Sequence, residues 1–80
     1  MKAKVEVVLK PGLLDAQGKT TQSALQALGF SGVKQVRVGK LIEVEVKQSS
    51  AAAARRHVER MCEKLLANPV IETYRITVSK

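Results

Sequence analysis

Few side chains in this sequence could do covalent or acid–base chemistry. It has one cysteine, Cys62, one histidine, His57, one aspartate, Asp15, and no tryptophan. His57 and Cys62 lie five residues apart in helical sequence, a spacing that turns two side chains away from each other rather than onto one face. The thiol therefore reads as a small core hydrophobe and the imidazole as a group near solvent. Carboxylates recur as Glu43/Glu45 and as Glu59/Glu63. The second pair sits among Arg55, Arg56, Arg60 and Lys64, which is the pattern of a solvated helix face whose ion pairs are worth about 0.2–0.5 kcal/mol each. No glycine-rich stretch has the spacing of a phosphate loop. One Cys and one His cannot close a structural zinc site, and a single Cys excludes an internal disulfide. No catalytic, cofactor-binding or metal-binding residue is assigned, and the chain alone is expected to have no activity.

Charge suggests a different use. Fourteen Lys and Arg against seven Asp and Glu give a net charge of +7, which raises nucleic acid as a partner. Gly29-Phe30-Ser31-Gly32 matches a G-x-x-G loop in letters, but it follows a helical pattern, holds no basic residue and reads as a helix C-cap and turn. Base-stacking sheets need exposed aromatics, and this chain has only Phe30 and Tyr74, the latter on a face expected to be buried. The basic residues are spread over every element. A small basic nucleic-acid-binding module is thus the alternative reading, and nucleic acid is not the expected partner.

The elements that must position these residues follow from periodicity. Ala3, Val5, Val7 and Leu9 alternate with Lys2, Lys4, Glu6 and Lys10, the mark of a half-buried strand, which Pro11-Gly12 ends. Thr21, Ala24, Leu25 and Leu28 recur with helical spacing. Asp15 is placed to cap that helix, and Gly29 followed by Phe30 to close it in a Schellman turn against Leu25. Gly18 weakens the first turn. Val36 and Val38, then Ile42, Val44 and Val46, read as two short strands joined at Gly39-Lys40. Ser49-Ser50 offers caps for a second helix running to about Ala67, with Ala54, Val58, Met61, Cys62 and Leu65 as its apolar stripe. Asn68-Pro69 stops it. Val70 to Val78 reads as a last strand, with Tyr74, Ile76 and Val78 on one face.

The order β-α-β-β-α-β predicts one domain over residues 1–80 of α+β class. It is the ferredoxin-like pattern: a four-stranded antiparallel sheet with two helices on one face. The outer face would carry Lys4, Glu6, Arg37, Glu43, Glu45 and Arg75, with Val8, Leu41 and Ile71 as spare apolar groups. A domain of 80 residues buries only ~60–65% of its unfolded surface, and with neither disulfide nor metal it is expected to gain burial from a partner subunit, as a homodimer or tetramer. Leu13 and Leu14, in a loop beside Gly12, Asp15 and Gln17, either plug the end of the core or meet a partner. No apolar run approaches the ~20 residues of a membrane span, and no secretory signal pattern opens the sequence, so a cytoplasmic location is expected.

Several blocks together resemble a known family. Leu9-Lys10-Pro11-Gly12, Leu14-Asp15-x-Gln17-Gly18, Leu28-Gly29-Phe30 and Arg37-x-Gly39-Lys40 occur in this order, and along its whole length the chain resembles the PurS family, small subunits of formylglycinamide ribonucleotide amidotransferase (phosphoribosylformylglycinamidine synthase). Ala16 departs from the family, which often has Pro there; Asp15 can cap without it. The resemblance implies a non-catalytic subunit that bridges the synthetase subunit PurL and the glutaminase subunit PurQ in purine biosynthesis. It also implies that ATP and Mg are used by the assembled complex, with no cofactor bound by this chain. Leu13, Leu14, Asp15, Gln17, Gly18, Arg37, Gly39 and Lys40 are the candidate interface residues.

Overall fold

The computed structural model describes all residues, Met1–Lys80. Strand β1 (Lys2–Leu9) is followed by helix α1 (Ala16–Ala27), strand β2 (Lys40–Glu45), helix α2 (Ala51–Met61) and strand β3 (Glu72–Ser79). A π-helical turn, Cys62–Leu66, continues α2. No helix is long and apolar enough to cross a membrane.

β1 lies at the centre of a three-stranded antiparallel sheet in the order β2-β1-β3. Its alternation sends Ala3, Val5 and Val7 to the inner face, where all three are buried. Register sets Val5 between Ile42 of β2 and Ile76 of β3. On the outer face Lys2 lies opposite Glu45, Lys4 opposite Glu43 and Glu6 opposite Arg75, cross-strand pairs of opposite sign that favour this register over a one-residue slip.

Ser50 caps α2, its hydroxyl oxygen accepting from the Ala53 N–H at 3.1 Å. The helix lies over β3 and β1, placing Ala54, Val58 and Cys62 in the core. The Arg55 guanidinium donates to the Ile76 carbonyl at 3.0 Å, tying helix to strand. The expected stripe fails at its end, because Leu65 is exposed while Leu66 packs against the core. The π turn is the cause. The Ala67 N–H reaches back five residues to the Cys62 carbonyl at 3.0 Å, and the extra residue in that turn rotates Leu66 inward in place of Leu65.

The other half departs from expectation. The four-stranded sheet with two helices on one face does not form in the single chain. Residues 33–39 make no ladder, and among 34–37 no backbone N–H or carbonyl enters a backbone hydrogen bond. There is no hairpin at Gly39-Lys40, because residues 33–39 form no strand to pair with β2 and Gly39 lies instead against Val7 and Val8 of β1. α1 packs on neither the sheet nor α2, and only Gly18 of its residues is buried. Its ends nonetheless form as expected: Asp15 caps it, and Gly29 (φ +102) closes it with Phe30 N–H to the Leu25 carbonyl and Gly29 N–H to the Gln26 carbonyl, both 3.1 Å.

The molecule is accordingly extended. Its axes measure 48 × 26 × 14 Å and its radius of gyration is 15.9 Å, against about 12 Å for a compact chain of this length. It exposes 5994 Å², where a compact monomer of its mass exposes about 4,700 Å².

Candidate partner interface at the base of the arm

Residues 13–39 form an arm whose base is a small clamp. The Asp15 carboxylate joins both of its limbs: Oδ1 accepts from the Gly18 N–H and Oδ2 from the Val38 N–H, each at 2.8 Å. These bonds, that to Val38 first, hold the Asp15 carboxyl below its ordinary pKa of 3.8, with a smaller contribution from the Arg37 charge. Arg37 in turn donates to the Leu9 carbonyl, fastening the returning limb to the end of β1.

Two glycines permit this geometry. A Cβ on Gly18 would overlap the Val36 carbonyl oxygen and the Asp15 carboxylate, and one on Gly39 would overlap the Val7 carbonyl oxygen and the Val8 side chain. Gly18 therefore lets α1 touch the returning limb, and Gly39 lets that limb lie close against Val7 and Val8 of β1. The motif residues Asp15, Gly18, Arg37 and Gly39 thus come together as one structural unit. Lys40, at the start of β2, lies opposite Val7, with its ammonium 4.0 Å from Glu72.

Leu13, Leu14 and Gln17 stand apart from the clamp. Leu14 is 75% exposed and Leu13 46%, so they do not plug the core, and the Gln17 side chain forms no hydrogen bond within the chain. With Lys10, Lys19 and Lys34, the loop and both limbs enclose a cleft of about 510 Å³. Sequence reasoning did not count these three lysines among the candidate interface residues, although Lys10 and Lys19 flank the loop it singled out, because Lys34 joins them only through the fold. It also read Gly18 as a loose first turn and Gly39 as a hairpin residue. The signal available was an unfavourable glycine inside a helix start, which points to a close approach.

Elsewhere the chemistry-bearing residues stay separate. Cys62 is fully buried, and burial, reinforced by Glu59 and Glu63, pushes its thiol pKa up, so it stays protonated at neutral pH. His57 is exposed. Tyr74 faces the core as expected, and burial raises its phenol pKa. No three His, Cys, Asp or Glu side chains converge.

A three-stranded sheet covered by one helix, with a second helix carried out on a clamped arm, defines a class of small α+β modules rich in surface and poor in core. Residues 2–80 match the family described as PurS: Phosphoribosylformylglycinamidine (FGAM) synthase, and the chain belongs to that family of FGAM synthase subunits in purine biosynthesis. It is similar to the FGAM synthase subunit PurS of Methanocaldococcus jannaschii, at 46% identity over 79 residues, covering 99% of this chain and 95% of that protein. The crystal structure of the M. jannaschii protein superposes with a TM-score of 0.89. The Bacillus subtilis subunit is 44% identical over 99% of this chain and 93% of its own length; its structure, 98% covered, gives a TM-score of 0.87. A chain in the structure of PurLQS from Thermotoga maritima, 33% identical, also gives 0.87, covering 95% of this chain and 93% of that one.

Proposed function

We propose that this chain is a non-catalytic assembly subunit of FGAM synthase that bridges a PurL-type synthetase and a PurQ-type glutaminase. Ammonia released from glutamine is then used before it escapes and is protonated in solvent. The observation that carries this reading is the arm, an unpacked helix on a hydrogen-bonded clamp, in a chain similar to one found in a PurLQS structure. ATP and Mg belong to the synthetase in this reading and are not held by this chain. The place of work is the cytoplasm, where purine synthesis would supply its partners.

The chain works as a homodimer or higher oligomer in the same reading. Its surface exceeds that of a compact monomer by roughly 1,300 Å², more than the ~800 Å² each partner gives to a standard interface. Leu28 and Phe30 on the arm are exposed, and Ile42 and Val44 on the inner face of β2 are only half-covered. The arm of one copy has the composition to cover that strip on another, and the unpaired limb 34–37 has free backbone groups to add to a sheet edge.

Reconstitution tests the bridging role. Purified synthetase and glutaminase are assayed with and without this chain, using glutamine or ammonium as nitrogen source. Ammonium-dependent turnover should persist without it while glutamine-dependent turnover falls; unchanged glutamine-dependent turnover rules the bridge out.

A further inference from the structure

We propose that the cleft at the base of the arm binds an acidic, extended peptide segment of a partner subunit, a proposal that rests on the assembly reading above and specifies the chemistry of one contact. The cleft lies between the loop after β1, the first turn of α1 and the returning limb 34–37. Four cations line it: Lys10, Lys19, Lys34 and Arg37. Its only acid is Asp15, and both oxygens of that carboxylate already accept backbone N–H groups. None of the four cations has a carboxylate within ion-pair distance, the chain's single ion pair being Lys40–Glu72. Four like charges are therefore gathered around a single carboxylate, which acts on Arg37 at a distance and whose oxygens are already engaged. Lys19 adds a further cost, because it stands at the start of α1, where the helix dipole disfavours a cation and the first turn after the Asp15 cap holds no acid.

The same geometry selects the kind of anion. A compact phosphate is bound best by free N–H groups at a helix N-terminus, but Asp15 already occupies that position on α1 and would repel it. The positive groups are instead spread along both limbs, which suits carboxylates distributed along a chain. The floor and lip carry Leu9, Leu13, Leu14 and Val36, with Leu14 wide open to solvent, so an apolar side chain between the acids would be covered as well. Nucleic acid would find cations but no aromatic side chain to stack on, since neither Phe30 nor Tyr74 lines the cleft.

The test has two arms with the full-length chain. First, a labelled Glu-Leu-Glu-Glu-Leu-Glu peptide is titrated by fluorescence anisotropy, beside a single-stranded oligonucleotide of equal charge. The double variant Lys19→Glu/Lys34→Glu should bind the peptide roughly tenfold more weakly. Lys47→Glu/Lys80→Glu, with the same change in net charge outside the cleft, should bind it like the parent. Both lysines of the cleft variant are exposed and Glu suits the start of α1, so the fold is retained. Equal loss in the two variants, or tighter binding of the oligonucleotide than of the peptide with the same dependence on the cleft, overturns the proposal. Second, assembly with purified synthetase and glutaminase is measured for all three proteins. Loss of assembly in the cleft variant alone supports the proposal. Normal assembly of the cleft variant overturns it and leaves the bridging role intact. If the parent itself fails to assemble, the bridging role fails, and the peptide titration alone decides whether the cleft takes an acidic chain.

Discussion

The sheet half and the arm of this molecule are built by opposite means. In the sheet half, Val5, Val7, Val58 and Cys62 are fully buried against one another, and apolar burial holds the elements in place. In the arm, α1 contributes a single buried residue, Gly18, and position is fixed by directed polar bonds: Asp15 to two backbone N–H groups and Arg37 to a carbonyl. The contrast teaches that a helix can be well capped at both ends and still lack a tertiary partner. Capping decides where a helix begins and stops, whereas most helical stability in proteins comes from packing an apolar face.

The sharpest way to break the comparison is to perturb each half with its own weakness. Gly39→Ala sets a Cβ against the Val7 carbonyl at the junction of arm and sheet, where backbone meets backbone and one of the two must shift. It should destabilise the whole fold by about 3 kcal/mol, the upper end for overpacking, read as a lowered urea midpoint. Val58→Ala, inside the packed half, should cost roughly 2–3 kcal/mol through lost contacts and a cavity. Leu28→Ala, at the exposed end of α1, should leave the denaturation of dilute protein within about 0.5 kcal/mol of the parent and weaken self-association at higher concentration. A large loss from Leu28→Ala in dilute monomer would mean that the arm packs on its own sheet.

Acid sharpens the comparison further. The Asp15 carboxyl has a folded pKa below its ordinary 3.8, so its stabilising effect is fully present above that value and is lost as pH falls through the lower, folded pKa. The clamp should therefore open in acid before the apolar sheet half unfolds. Amide signals of Gly18 and Val38 should shift together in that window, ahead of those of β1, and Asp15→Ala should abolish that early step. The smallest effect belongs to Lys40–Glu72. With its lysine largely solvated, Lys40→Ala should change stability by no more than about 0.5 kcal/mol.

Most of the sheet half was legible in the sequence because its signals are local. Period-two alternation in Lys2–Leu9, a serine cap before Ala51 and a proline stop at Pro69 each act within a few residues. What escaped depends on contacts across the chain. Val36 and Val38 alternate as a strand does, yet the Val38 N–H goes to Asp15, 23 residues away, so the hairpin is replaced by a clamp. Leu65 fits the helical stripe, but the π turn hands its place to Leu66. At the candidate interface, motif spacing found Asp15, Gly18, Arg37 and Gly39, while the cleft's lysines come together only when the two limbs do.

Hydrogen exchange of the amides at Lys34, Gln35, Val36 and Arg37, followed as a function of protein concentration, tests the central claim most directly. These groups have no partner in the single chain, so they should exchange at the rate of an open peptide in dilute solution, while β1 amides remain protected. They should become protected as the chain associates, at the concentration where sedimentation shows the dimer. Fast exchange at every concentration, despite association, would show that the arm is not what joins the copies. Slow exchange in a sedimenting monomer would show that the limb already has a partner within its own chain, and the contrast between the two halves would be wrong.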